Sequence, residues 1–359
     1  LITGAPSPAM APRSAQPKEA EAKVAKAKAA QKGSRRRRIA TRLGAAGLGL
    51  IGGLGLLALV WPESDRSLDA LKNLNSADLA KAPMRPITLL VIGLDAEQVG
   101  DGLNNAAPLG PANNDALLLI RINPQGPLQV LTVPTSLGVQ LPGQKGPLPL
   151  GKLYRLGGAA LSADAVRELV GLGPQEPERY LVISRAGLRN LVDGLGGVNA
   201  NPPMEMRYSD RKQQLKIKLD SGLQQLKGRQ IEHLARFRDP LRPDESRQEH
   251  QQEVVSSLLQ EMAIQEQLVR IPGLVRSLKG QVGTNLSESE TLSLLAAGLA
   301  NPEGVEFSSI PLAPVPQPAA QPATKSAAKQ TTPQISPQLT RVASTAPSPL
   351  WPAPPAPGP

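Results

Sequence analysis

Apolar runs of strand length alternating with helix-length amphipathic stretches predict a mixed α/β fold, a three-layer or α+β sandwich. Three observations carry that expectation. Ile87-Thr-Leu-Leu-Val-Ile-Gly93 is a continuous apolar run closed by glycine, as in a strand covered on both faces. Residues 116–122 and 128–133 repeat that character on either side of the hairpin signal Asn123-Pro124-Gln125-Gly126. Leu215-Lys-Ile-Lys-Leu219 alternates instead, as in a strand with one solvated face.

The chain has an N-terminal part of different character. Residues 1–42 hold 11 Lys and Arg against two acidic residues, so almost all of the net charge of +10 resides there and the remainder is neutral. This segment reads as a disordered basic arm whose natural partner is anionic lipid headgroups rather than nucleic acid. From Leu43 to Val60 no charged side chain occurs, and Trp61 follows at an interfacial position, so residues 43–61 are expected to form one transmembrane helix. Arg35 to Arg38 and Arg42 precede it, which places the N-terminus in the cytoplasm and the rest outside, as in a signal-anchor. A cleaved signal peptide is the rival reading, set aside because the basic region is too long and no small-x-small site precedes Pro62. Gly47, Gly49 and Gly52 spell a dinucleotide fingerprint but follow no strand, so no cofactor is inferred. Gly49 and Gly53 have the spacing that lets two spanning helices dimerise, a spacing a Gly-rich span also produces by chance.

Residues 62–84 read as a linker or short helical stalk, with Leu68, Leu71, Leu74 and Leu79 at loose helical spacing. The folded domain is expected over 85–310. After the first three strands, helices are predicted at 162–170, 185–195, 228–235, 245–270 and 285–300, with a further strand at 180–183. Residues 311–359 contain 14 prolines and read as a disordered tail.

Composition narrows the chemistry. There is no cysteine and only two histidines, His233 and His250, which excludes thiolate sites and a three-His zinc centre. With 33 Gly, 37 Pro and only two Trp, three Tyr and two Phe, the core must be aliphatic. Any catalysis must rest on carboxylates, Arg, Lys and backbone groups.

Asp95 stands just beyond the first strand and Asp115 just before the second; if those strands are antiparallel neighbours, both carboxylates share one end of the sheet. Paired oxygens there suit Mg²⁺ completed by phosphate and water, and equally suit two ordinary turn residues. Arg236 and Arg238 are two apart, which in an extended segment puts both guanidinium groups on one face, able to hold a phosphate from two sides. Arg247, His250 and Gln251 share a face on the predicted helix.

At these residues the sequence resembles the LytR-CpsA-Psr family of membrane-anchored cell-wall phosphotransferases. The similar stretches are Leu90-Val-Ile-Gly-Leu-Asp95, Asn114-Asp115-Ala-Leu-Leu-Leu-Ile-Arg-Ile-Asn-Pro124, Gly187-Leu-Arg-Asn-Leu-Val-Asp-Gly-Leu-Gly-Gly-Val198 and Leu219-Asp-Ser-Gly-Leu-Gln-Gln-Leu-Lys-Gly-Arg-Gln230. Leu234-Ala-Arg-Phe-Arg-Asp239 and Arg247-Gln-Glu-His-Gln-Gln252 complete the series. The resemblance implies an α/β/α core with an apolar groove, and transfer of a phospho-linked glycopolymer from a polyprenyl (pyro)phosphate carrier to peptidoglycan, assisted by Mg²⁺. It implies that Asp95 and Asp115 are metal-site aspartates, that Arg236 and Arg238 bind pyrophosphate, and that Arg247, Gln251 and Lys152 belong to the same pocket. Two departures stand out. Pro134-Thr135-Ser136 replaces the family's Pro-Arg-Asp, so Thr135 stands where an active-site arginine is usual, and Asn114-Asp115-Ala116 replaces Ser-Asp-Thr. Arg155 is a candidate to compensate. The missing arginine keeps a second expectation open, a carrier-lipid or wall-polymer binding protein without turnover. A membrane-bound transcriptional attenuator is a weaker third, since the basic arm offers no helix-turn-helix.

Overall fold

The computed structural model describes residues 75–101, 110–124, 126–211, 215–315 and 339–351. The expected basic arm and transmembrane helix lie outside the described residues, and among the described residues no helix is long and apolar enough to cross a membrane. Of the expected stalk, the described part holds a single 3-10 turn, Ser76–Asp78, capped by Asn75, and Leu79 packs against the helical core.

The apolar runs form strands β1 (Ile87–Leu94), β2 (Asn114–Ile122) and β3 (Leu128–Thr132), followed by the short pair β4 (Gly138–Val139) and β5 (Leu148–Pro149). Helix α1 (Leu153–Val170) leads to β6 (Arg179–Ile183), α2 (Arg185–Gly194) and β7 (Val198–Ala200). The hairpin β8 (Met206–Asp210) and β9 (Leu215–Leu219) precedes β10 (Gln224–Leu226), α3 (Gly228–Arg236) and α4 (Pro243–Met262). Then come α5 (Gln265–Leu268), α6 (Ile271–Ser277), β11 (Val282–Thr284), α7 (Glu288–Gly298), β12 (Val305–Ser309), β13 (Leu312–Pro314) and β14 (Thr340–Val342).

A six-stranded mixed sheet runs β11-β6-β1-β2-β3-β12. β1 and β2, and β2 and β3, are antiparallel, while β6 and β12 join in parallel. Strand alternation sends Leu90, Ile92, Leu117, Leu119 and Leu131 to one face, where they pack with Leu153, Val166 and Val170 of α1. Leu118, Ile122, Leu128 and Val130 take the other face with Leu294 of α7. Both faces are therefore covered, which is why these strands read as continuous apolar runs, and the layers are helix, sheet, helix.

Some elements differ from expectation. The helix expected at 162–170 begins at Leu153, because the chain enters it through Gly157 and Gly158, whose non-helical dihedrals kink it. The helix expected to reach residue 270 stops at Met262: Ile264 is extended and precedes the short α5, and Pro272 lies in the first turn of α6. The Pro-rich tail is not wholly unstructured. β14 pairs antiparallel with β13, Thr340 Oγ1 lies 3.0 Å from Ser136 Oγ, and Trp351, 3% exposed, stacks 3.9 Å from the Arg121 guanidinium. Composition hid this, because a few apolar residues suffice to anchor a Pro-rich segment to a preformed face. Trp351→Ala is expected to cost about 3–5 kcal/mol, read as a lowered urea midpoint; an unchanged midpoint would show that the segment adds no stability.

Candidate active site

Asp95 follows β1 and Asp115 is the second residue of β2, so the antiparallel pairing brings both to one end of the sheet. The register slips at that end: Gly93 pairs with Ala116 but Leu94 with Asn114, leaving Asp115 as the extra residue of a β-bulge. A bulge re-aims a side chain without moving the rest of the strand. Asp115 meets α4, where Arg247 Nη2 lies 3.0 Å from its Oδ1, whereas Asn114 accepts at 3.5 Å from the Tyr154 N–H at the start of α1. Glycine at 93 permits the bulge, because a Cβ there would sit 3.1 Å from the Ala116 Cβ.

Asn113 fixes Asp95 from two sides. Its backbone N–H donates to Oδ1 and its side-chain amide to Oδ2, each at 2.8 Å. Burial, helped by the charge of Asp115, pushes the Asp95 carboxyl up, against the opposing hydrogen bonds from Asn113 and the charge of Arg236. Burial also acts on Asp115, but Arg247, Arg236 and Arg238 outweigh it and hold that carboxyl below the usual range. The two aspartates thus shift in opposite directions: burial prevails at Asp95, and the cluster of cations prevails at Asp115.

Arg236 closes α3, and Phe237 then turns extended with φ −65° and ψ 139°. The Arg-Phe-Arg segment thereby leaves the helix, Phe237 is buried, and both arginines act on Asp115. His250 does not join the cationic cluster as its helical spacing suggested; its Nδ1 lies 3.3 Å from the Phe237 carbonyl oxygen and pins the segment between the two arginines. Glu232 gathers Arg236 at 3.1 Å, Arg185 at 2.7 Å and Arg189 at 2.5 Å, and Arg238 pairs with Asp244 at 2.8 Å. Burial beside Arg247 lowers the Arg238 guanidinium to about 10, against Asp115 and Asp244, so it stays charged at neutral pH.

Gln251 Nε2 reaches the Asp115 carbonyl oxygen at 3.4 Å, and Arg247 donates to the same oxygen. Two donors here are buried with no hydrogen-bond partner, Arg247 Nε and Asn114 Nδ2. Such groups ordinarily cost about 1–3 kcal/mol each, and both flank Asp115. Gly151 donates to the Thr135 carbonyl oxygen at 2.8 Å, which brings the Lys152 backbone to the same end of the sheet, but the Lys152 side chain is exposed. The Arg155 guanidinium lies against Gly110, whose φ of +124° and lack of a side chain make room for it.

Sequence reasoning found the acidic pair and the cationic cluster but missed Asn113, Glu232 and the part played by His250. The polar triplet Asn113-Asn114-Asp115 before an apolar strand was the available signal for the first, and the i,i+4 spacing of Glu232 and Arg236 for one of the Glu232 pairs; Arg185 and Arg189, and Phe237 for His250, lie farther off in sequence and left none.

Comparison with known proteins bears on the family and the fold. Regulatory protein MsrR of Staphylococcus aureus is 25% identical over 232 residues, which cover 63% of this chain and 64% of MsrR, so less than two thirds of that relative is spanned. A Bacillus cereus protein described as polyisoprenyl-teichoic acid–peptidoglycan teichoic acid transferase TagU is 22% identical over 265 residues, 70% of this chain and 80% of TagU. The crystal structure of Bacillus subtilis TagV superposes with a TM-score of 0.52 at 18% identity over 64% of this chain and 85% of TagV, the same fold. A model of the LytR_cpsA_psr family matches residues 63–335, which include the whole acidic and cationic cluster, and to that family this chain belongs.

Proposed function

We propose that the chain is a membrane-anchored phosphotransferase, its main domain outside the cell, that moves a glycopolymer from a polyprenyl (pyro)phosphate carrier to peptidoglycan. The observation that carries this reading is the convergence of Arg236, Arg238 and Arg247 on Asp115, beside two buried donors without acceptors. An anion seated there would satisfy the orphan donors and draw on the three guanidinium groups that act on Asp115, which is what a pyrophosphate does. The TagU description supports the substrate class.

In the reaction, an acceptor sugar hydroxyl forms a bond to the phosphorus bearing the glycopolymer, the anhydride bond breaks, and polyprenyl monophosphate leaves with its electron pair. The arginines bind the two phosphates and spread the charge that develops on the leaving group. The proton of the attacking hydroxyl passes to the carboxylate pair, Asp95 being the readier acceptor of the two. Among the described residues no three carboxylate or imidazole groups are arranged to cage a metal ion. Two carboxylates at a strand end nevertheless suit Mg²⁺, which takes few protein ligands when phosphate oxygens complete its shell. Asp95 and Asp115 would hold it, and it would supply further charge neutralisation.

Thr135 brings no guanidinium to the site, the one feature favouring a binding protein without turnover. Release of polyprenyl phosphate from a glycosylated polyprenyl pyrophosphate, dependent on Mg²⁺ and on an acceptor glycan, is the expected result for the full chain. Tight binding with no release under those conditions would contradict the transferase and leave the receptor.

A further inference from the structure

Aromatic side chains are scarce in this protein, and those among the described residues are buried or half-buried except one. Tyr208 is 43% exposed. In the hairpin it lies directly across from Ile217, which is 2% exposed, and on the same strand face as the fully buried Met206. Met206, Leu215 and Ile217 share a core with Ile231, Leu234 and Phe237, so the inner face of the hairpin rests on the helix and segment that carry Arg236 and Arg238. The charges of both arginines reach the phenol. Asp210, next but one along β8 and so on the same face, accepts from the Tyr208 hydroxyl at 3.5 Å.

An exposed ring with a carboxylate accepting from its hydroxyl has the two elements that recognise a saccharide. The ring packs against the C–H face of a pyranose, and the carboxylate and phenol bind its hydroxyls. We propose that Tyr208 and Asp210 form a sugar subsite for the residue attached to the carrier pyrophosphate, a proposal that rests on the phosphotransferase reading. The arginines bind what a bare and a glycosylated polyprenyl pyrophosphate share, the two phosphates, and Tyr208 and Asp210 bind the sugar that only the glycosylated one carries.

The test compares binding of bare polyprenyl pyrophosphate and of polyprenyl pyrophosphate bearing N-acetylglucosamine to the full chain. Tyr208→Ala is expected to weaken the glycosylated ligand about tenfold, equivalent to about 1.4 kcal/mol, and to leave the bare one unchanged. Asp210→Asn should weaken only the glycosylated ligand, and Tyr208→Phe, which keeps the ring and the fold, should retain most of the preference. Equal weakening of both ligands by Tyr208→Ala, or no weakening of either, would overturn the subsite while leaving the phosphate site standing. Failure of the wild-type chain to bind either ligand would overturn the phosphate site, and the sugar subsite with it.

Discussion

Arg247→Ala is expected to lower kcat/KM for the proposed glycopolymer transfer by about 10²–10³, the loss typical of removing one donor aimed at developing charge in an enclosed site. The size follows from its environment. The Arg247 side chain is only 8% exposed, one of its nitrogens bonds the bulged Asp115, and another has no partner. Arg236 and Arg238 remain beside Asp115 in the variant, so the domain should fold, which near-UV circular dichroism would confirm. Arg247→Lys keeps the charge but not the planar set of donors, and is expected to recover only part of the activity. Wild-type steady-state kinetics in Arg247→Ala would remove this residue from the site.

The two aspartates should respond to neutralisation with opposite signs in stability while both lose activity. Asp95 has its folded-state carboxyl pushed above the unfolded value, so its ionisation opposes folding and its contribution declines as pH rises from the ordinary carboxylate range through the raised one. Asp95→Asn is therefore expected to raise the unfolding midpoint at neutral pH, by about 2–4 °C if it yields about 1 kcal/mol. The amide of Asn113 can turn to present its oxygen to the new amide. Asp115 is held below the unfolded value, so its contribution is present above the ordinary carboxylate range and is lost as pH falls through the lowered one. Asp115→Asn removes the carboxylate paired with the buried Arg247, while Arg236 and Arg238 keep Glu232 and Asp244, and should lower the midpoint at neutral pH. Thermal melts of both variants at neutral pH check this; a shift of the same sign in both would mean that the cationic cluster does not divide them.

How much of this was legible in the sequence depended on the range over which each feature is determined. β1 to β3 were readable because a strand covered on both faces is apolar throughout, and the short turn between β2 and β3 marked a hairpin; the antiparallel pairing of β1 with β2 stood only as a condition, which the structure meets. The bulge that turns Asp115 toward Arg247 was not readable. It is a slip of one residue between strands separated by a loop, and Gly93 opposite Ala116 marks it only once the pairing is known. The Arg236 and Arg238 pair was read correctly only under the condition that the segment be extended, a condition set by Phe237 leaving the helix. Glu232 read as one more polar position on a helix, yet it is 4% exposed and binds three arginines. The docking of Trp351 was obscured by the composition of the chain around it.

The central claim is that guanidinium groups from two segments grip one pyrophosphate. Titration of polyprenyl pyrophosphate against the full chain tests it most directly, with Arg236→Ala, Arg238→Ala and, as a control, Arg276→Ala, which removes an exposed partner of Glu288. Loss of a charge-assisted contact of about 1.5–3 kcal/mol corresponds to a tenfold or greater rise in Kd, expected for the first two variants and absent in the control. The same Kd for wild type, Arg236→Ala and Arg238→Ala would contradict the account.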